Sequence, residues 1–496
     1  MPHRPRYRIE EDYHRYTPVH VVWEITLACN LKCQHCGSRA GQARHDELTT
    51  QECLDVIDRL AALGTREITL IGGEAFLRPD WLDIIKAIRK HDIYCATQTG
   101  ALNFTQARLD AAIEAGLQGI GVSIDGLPDL HDRLRGVPGS YDMAINTLKR
   151  ARDAGLNRSV NTQIGAQTIP MLRPIMHRII EAGAQQWQLQ LTVAMGNAVD
   201  NDDILLQPYQ LGELMPLLAQ LFSEAHEQGL ILIAGNNIGY FGPYEHKFRS
   251  IENATSHWNG CSAGQTSMGL EADGTVKGCP SLATEGFAGG NIRDLPLDEI
   301  WNTSEEIHFG RLRSVDDLWG FCRTCYYADA CRGGCTWTSH SLLGKPGNNP
   351  YCHYRVLELE KQGLRERIRK VQEANRTSFA VGKFELVLEP IPGYAVSAAL
   401  SEETGPEERV TQPVMAFSTP AAPAGESYRE GRVPPQLEQC KACNQFIWPD
   451  EEICPHCQAD VKVARARYAA DKERWDSLME ELQTMMAQKS SGSRVQ

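Results

Sequence analysis

Cys29, Cys33 and Cys36 stand close together near the start of the chain, in the run CNLKCQHC. A loop this short buries little of its own surface, so converging thiolates are its main chemical content. Three thiolates can hold three irons of a [4Fe–4S] cube. The fourth iron then has no protein ligand, and an open coordination position is where chemistry happens, as at catalytic zinc. A structural zinc site completed by His35 or His45 is the competing reading. Further along, Gly72-Gly73-Glu74 places a carboxylate after two residues without side chains. Glycines let the backbone approach a bound group closely, and a glutamate can accept hydrogen bonds from an ammonium.

Most of the sixteen cysteines fall into clusters. Cys261 and Cys279 are followed by a C-x2-C-x5-C-x3-C run of Cys322, Cys325, Cys331 and Cys335, and then by Cys352. These seven exceed the four that one cluster needs. They allow two clusters with one position left open or filled by another group, and several zinc ions are the alternative. Cys440, Cys443, Cys454 and Cys457 form two C-x2-C knuckles of a zinc-ribbon or rubredoxin-like module. Paired knuckles point to one structural zinc, with iron as the alternative. Such a module either clips together a segment too small to fold alone or docks a precursor or partner. Cys53 and Cys95 stand apart and read as small buried hydrophobes.

The elements that position these groups alternate from residue 18 to about 235. Strands are expected over 21–27, 67–71, 93–98, 119–124, 159–164 and 187–193, and helices over 49–63, 79–90, 106–115, 140–155, 170–182 and 211–229. Short apolar strands suit a parallel sheet covered by helices, and six βα units in a row suit a partial (β/α)6 barrel of the TIM-like kind. The candidate residues follow the strands, where sites in parallel β/α folds lie. The domain reading is an N-terminal segment at 1–17, an α/β core at 18–240, and a cysteine-rich domain with a following helix at 241–378, the helix over 353–373. An extension with a strand at 384–388 and a flexible Pro/Ala/Glu-rich linker fills 379–435. The zinc module takes 436–460, and a helix and tail take 461–496. In that helix Trp475, Leu478, Met479, Leu482 and Met486 share one face over 461–487.

The formal net charge of −13 argues against nucleic acid as a partner. The first residues are polar and lack the apolar stretch of a signal peptide. No run of apolar residues reaches membrane-spanning length. Clustered cysteines without an export signal imply metal ligation in a reducing compartment, hence a cytoplasmic protein with no membrane role.

The C-x3-C-x2-C run after the first strand, with Gly72-Gly73-Glu74 after the second, resembles the radical S-adenosylmethionine (SAM) superfamily. The resemblance implies that Cys29, Cys33 and Cys36 hold a catalytic [4Fe–4S] cluster whose free iron chelates SAM. It implies that Gly72, Gly73 and Glu74 hold the methionyl amine; Ala75 stands where many relatives have proline. Ser123 and Asp125 resemble the fourth-strand segment that approaches the SAM ribose. Asn161 and Gln163 follow the family's pattern toward the SAM or substrate cavity. Gln188, Gln190 and Thr192 alternate on one face of the sixth strand, where lining that cavity and structural hydrogen bonding are the two readings. The second constellation resembles the SPASM extension, with Gly274 and Cys279 matching its Gly-x4-Cys segment. By that resemblance Cys322, Cys325, Cys331 and Cys352 hold one auxiliary [4Fe–4S] cluster, and Cys261, Cys279 and Cys335 hold the other, making three clusters in all.

The stretches 187–200 and 235–243 are similar to maturases of ribosomally made peptides, including those with Nif11-like or nitrile-hydratase-like leaders. That implies reductive cleavage of SAM to a 5'-deoxyadenosyl radical, which abstracts hydrogen from a precursor peptide. A crosslink, an epimerised residue or a backbone excision follows. The implied partners are the precursor, a separate leader-recognition protein and an electron donor such as flavodoxin or ferredoxin. Two other readings stand beside this one. A formylglycine-generating maturase of the anaerobic sulfatase type needs a general base, for which Asp273 is the candidate. A non-catalytic iron–sulfur electron carrier or scaffold needs none.

Overall fold

The computed structural model describes residues 6, 8–249, 256–393 and 436–492, with the backbone alone for 482, 483 and 485–492. Six parallel strands follow the expected order: β1 His20–Glu24, β2 Glu67–Ile71, β3 Tyr94–Thr99, β4 Gly119–Ser123, β5 Asn157–Ile164 and β6 Gln186–Leu191. A seventh, β7 Ile231–Ala234, pairs in parallel with β6. The intervening helices are Thr50–Ala62, Trp81–Lys90, Gln106–Glu114, Ser140–Asp153, Leu172–Ala182 and Leu211–Glu227. Local chemistry sets their ends. Thr49 and Glu52 form a reciprocal capping box, and Gly183 closes the Leu172–Ala182 helix at φ 93°. A short helix, Pro128–Arg135, was not expected; Pro128 opens it and Gly136 at φ 70° closes it.

The two faces of the sheet differ. Val160, Ile164, Trp187, Leu189 and Leu191 are fully buried. Asn161, Gln163, Gln188 and Gln190 alternate with them and keep partial exposure. Period-2 geometry puts each set on its own face, so the second face of these strands is polar rather than continuously apolar.

The cysteine-rich region adds to the same sheet. β8 Ser267–Leu270 runs parallel to β1, and β9 Thr275–Lys277 and β10 Ala288–Asn291 continue antiparallel. The order is β10-β9-β8-β1-β2-β3-β4-β5-β6-β7, a sheet open between β10 and β7.

The expected helix over 353–373 stops at Glu360. Gly363, at φ 71°, reverses the chain into β11 Leu364–Gln372, which pairs antiparallel with β12 Lys383–Pro390. Burial then alternates, with Glu366 and Ile368 inside and Arg367 and Arg369 outside. Arg365 pairs with Glu389 at 2.6 Å across the strands, and Arg369 pairs with Glu385. The expected boundary at 378/379 therefore falls within a hairpin, and most of the expected linker, residues 394–435, lies outside the described residues.

The chain forms two compact units: Met1–Tyr240 with Trp258–Pro434, and Phe241–His257 with Pro435–Gln496. The 241–257 segment thus groups with the C-terminal module rather than with the cysteine-rich domain. Within the second unit β13 Glu438–Gln439 pairs with β14 Phe446–Ile447. Leu437 donates its backbone N–H to His257 at 3.0 Å, and the His257 ring meets Phe446 edge-on at 5.2 Å. A helix runs Val461–Gly492, with Trp475, Leu478 and Met479 exposed. No described helix is long and apolar enough to cross a membrane.

Candidate functional site

The cysteine loop leaves the C-terminal end of β1 and is tied at its base. Cys29 donates its N–H to the Gly41 carbonyl at 3.0 Å, and Gly41 donates to Leu27 at 2.9 Å. The segment after β2 packs directly on it: Gly73 N–H reaches Thr26 at 2.9 Å and Glu74 N–H reaches Ala28 at 2.8 Å. A Cβ on Gly72 would lie 2.3 Å from the Thr26 oxygen, and one on Gly73 would lie 2.6 Å from Cys29 Cβ. The glycines are needed here for the approach of one backbone to another, a reason the sequence did not reveal.

The three sulfurs are served by chain donors. Leu31 N–H reaches Cys29 Sγ at 3.4 Å, Ala40 N–H reaches Cys36 Sγ at 3.3 Å, and Arg135 Nη1 reaches Cys33 Sγ at 3.8 Å. Burial pushes the Cys29 thiol up to about 12, with Cys33 and Cys36 adding to the rise. Burial likewise pushes Cys33 up to about 11. Neighbouring thiols that oppose one another's ionisation, yet are offered N–H donors, suit a cationic occupant that deprotonates them. The donor set fits an iron–sulfur cluster.

Beneath the loop, Asp125 is fully buried. Arg135 holds it through Nε at 2.7 Å and Nη2 at 2.6 Å, His35 approaches at 3.3 Å, and Gln163 N–H donates at 2.9 Å. The Arg135 guanidinium and His35 hold the carboxyl well below the usual range despite its burial. Arg135 and His35 thus share Oδ2 while Gln163 N–H takes Oδ1, and Asp125 ties the loop to β5. Arg135 and its neighbour Leu134 accept backbone hydrogen bonds from Lys32 and Gln34, so the ion pair also fixes the loop's path. Nothing in the sequence singled out Arg135.

Ser123 and Asn161 are register partners on β4 and β5. Asn161 donates to Gln98. Thr192 and Gln163 line a small cleft with His35, Gly165, Thr168 and Ile204, while Gln190 lies on the polar face of β6 beside Gly235.

Glu74 is buried and accepts from Thr99 Oγ1 and, at 2.6 Å, from Gly100 N–H. Burial raises its pKa to about 7 against these bonds. An acid whose folded pKa lies above its unfolded value stabilises the fold most below the unfolded pKa. That stabilisation fades as pH rises through the folded one. In protein without SAM, Glu74 should therefore make stability fall by about 3 kcal/mol between roughly pH 4.5 and 7. Urea unfolding of Glu74→Gln should lose this part of the pH slope, and an unchanged slope would contradict it.

The seven cysteines of the second constellation form two sets. Cys261, Cys279 and Cys335 are electrostatic neighbours, and Cys322, Cys325, Cys331 and Cys352 are neighbours of one another. Burial raises the thiol pKa in both sets. Each set gathers buried or half-buried thiols whose chemistry suits a cluster, the first with three and the second with four.

Asp273 sits elsewhere. It accepts from Thr275 N–H at 2.9 Å in the β8–β9 turn and pairs with Arg44 at 3.3 Å. Arg44 also binds Glu24 at 3.1 Å and Glu271 at 2.7 Å. The carboxylate thus takes part in the turn and in a charge network.

In the second unit, Cys440, Cys443, Cys454 and Cys457 have all four sulfurs within 4.8 Å of one another. Cys440–Cys457 and Cys443–Cys454 are 3.9 and 3.8 Å apart. A tetrahedron with Zn–S bonds of about 2.3 Å has edges of about 3.8 Å, so a single zinc ion fits.

Residues 23–170 match the family model of the Radical SAM superfamily, and residues 261–326 match that of SPASM, an iron-sulfur cluster-binding domain. The chain is 26% identical to the AdoMet-dependent heme synthase of Nitratidesulfovibrio vulgaris, over 68% of this chain and 92% of that protein. It is 28% identical to the mycofactocin maturase MftC of Mycolicibacterium smegmatis, over 70% and 86%. Streptococcus suis SuiB bound to S-adenosylmethionine shares the fold at a TM-score of 0.54 and 16% identity, over 68% of this chain and 76% of that one.

Proposed function

We propose that this chain, a radical SAM enzyme of the SPASM type, matures a ribosomally made precursor peptide. The observation that carries the substrate class is the polar inner face of β3, β5 and β6. Gln98, Asn161, Gln163, Gln188 and Gln190 are neutral carboxamides, and each both donates and accepts. That is the complement of a peptide backbone. A haem precursor, the substrate class suggested by the heme synthase relative, carries carboxylates and calls for cations, which the inner-face positions of these strands lack.

In this reading Cys29, Cys33 and Cys36 hold the catalytic cluster. Cys261, Cys279 and Cys335 hold one auxiliary cluster, and Cys322, Cys325, Cys331 and Cys352 hold the other. Cys440, Cys443, Cys454 and Cys457 hold zinc. Cys29, Cys33 and Cys36 would hold the cluster and Gly72, Gly73 and Glu74 would hold SAM, and the chemistry the bound pair would supply is a 5'-deoxyadenosyl radical for hydrogen abstraction. The chain's own work is placement. Glu74 offers its remaining lone pairs to the methionyl ammonium beside Gly72 and Gly73, and Ser123 serves the ribose. Asp125 and Arg135 keep the cysteine loop in place. The inner-face amides and Thr192 hold the peptide so that one C–H meets the radical. The outcome is a crosslink, an epimerised residue or an excision. The setting is cytoplasmic, with a flavodoxin or ferredoxin as electron donor and a separate protein to recognise the leader.

The test of the enzyme class is anaerobic incubation with SAM and dithionite. 5'-Deoxyadenosine should accumulate over many turnovers. None at all would favour an electron carrier or scaffold.

A further inference from the structure

Each cysteine set in the first unit has one buried arginine beside it, and the three arginines are not alike. Arg135, beside Cys33, is neutralised by Asp125 at 2.6 Å. Arg355 is paired with Glu366 at 2.5 Å and bound to Asn348 at 2.7 Å; the Cys322 and Cys352 thiols are its electrostatic neighbours. Arg313 is different. It is 8% exposed, and its Nη1 donates to Thr336 Oγ1 at 2.8 Å, on the residue that follows Cys335. Arg313 directly follows the helix Glu305–Leu312, whose Gly310 packs on the other side against the Cys261–Ala263 backbone. Among the described residues, no carboxylate lies within ion-pair distance of Arg313. Asp317 acts on it only at longer range, and its remaining favourable charge partners are Cys261 and Cys335.

A buried guanidinium without a carboxylate is costly unless another anion compensates it. The set beside it is the one with three cysteines instead of four. We infer that Arg313 is a positioning and charge-setting residue for the three-cysteine site: its cation belongs electrically to whatever cluster Cys261, Cys279 and Cys335 hold. This inference rests on the assignment of that set to an auxiliary cluster. Reduction adds negative charge to a cluster, so a nearby fixed cation favours the reduced form and raises the midpoint potential. At the four-cysteine site, Glu366 cancels the same effect of Arg355. The two auxiliary clusters therefore sit at different potentials, and the three-cysteine one is the easier to reduce.

The experiment uses the full chain with Cys29, Cys33 and Cys36 changed to Ala, reconstituted anaerobically and titrated potentiometrically with EPR detection. The parent should show two midpoint potentials. Arg313→Gln should move the higher one to a more negative value and leave the other in place, while Arg313→Lys should hold both near the parent's values. Two unmoved potentials in Arg313→Gln, with both clusters present by Mössbauer spectroscopy, would overturn the inference alone. If the Gln protein does not assemble the cluster, the Lys protein decides. Assembly at the parental potential supports a role for charge, and equal failure overturns it. A parent with a single auxiliary cluster overturns both the inference and the assignment beneath it.

Discussion

Changing Cys29, Cys33 and Cys36 together to Ala should lower the iron content from about twelve to about eight per chain and abolish 5'-deoxyadenosine formation, while one zinc remains. The expectation follows from the separation of the ligand sets. The first set lies on the loop after β1, and its sulfurs receive hydrogen bonds from Leu31, Ala40 and Arg135. The other proposed iron ligands stand in the 261–352 region, in two groups of mutual electrostatic neighbours. The knuckle sulfurs proposed to hold zinc are a third location, within 4.8 Å of one another and in a different compact unit. Removing one set should therefore leave the others loaded. Iron, sulfide and zinc analyses with Mössbauer spectra provide the check. A wild-type count near four irons would refute the three-cluster account, and loss of zinc together with the four irons would refute the independence of the sites.

Replacing Asp125 with Ala should destabilise the protein by about 3–5 kcal/mol and empty the first cluster site preferentially, because breaking a buried ion pair leaves an uncompensated charge. Asp125 is 0% exposed, and Arg135 is 8% exposed with two donors on one carboxylate oxygen. Without the carboxylate, Arg135 loses its anchor. The backbone bonds from Lys32 and Gln34 to Arg135 and Leu134, at the end of the Pro128–Arg135 helix, then lose a fixed partner. Asp125→Asn should cost less, because its oxygen can still accept from Arg135 while its charge is lost. Urea unfolding followed by iron quantification tests this. An Ala variant as stable as wild type, with full cluster content, would show that the pair does not hold the loop.

The chemistry of this chain was legible in the sequence where ligands are local. C-x3-C-x2-C and the paired knuckles are short-range patterns; the four knuckle sulfurs lie within 4.8 Å of one another, and Cys33 and Cys36 act electrostatically on Cys29. The division of Cys261–Cys352 into two sets was reachable only through family resemblance, because Cys331 and Cys335 are near neighbours in sequence yet fall in different sets. Arg135, Arg313 and Arg355 escaped notice because an arginine's burial and partner are tertiary facts. The helix expected over 353–373 misled because Leu, Arg, Glu and Lys are good helix formers. Gly363 was the one local sign of the turn, and cross-strand Arg–Glu pairs override propensity beyond it. The glycines of Gly72-Gly73 were noticed for a bound group, whereas the approach visible in the structure is to Thr26, Ala28 and Cys29. The 241–257 segment joins a module some two hundred residues away, which no local pattern announces.

The most direct test of the central claim is anaerobic turnover with SAM and a reductant, using as substrate each short peptide that a search of the neighbouring reading frames yields, followed by high-resolution mass spectrometry. The account predicts 5'-deoxyadenosine together with a changed peptide. Loss of two hydrogens marks a crosslink, one deuterium gained from heavy water marks epimerisation, and loss of a residue-sized mass marks excision. A peptide that never changes, while a free small metabolite is consumed in step with 5'-deoxyadenosine, would contradict it.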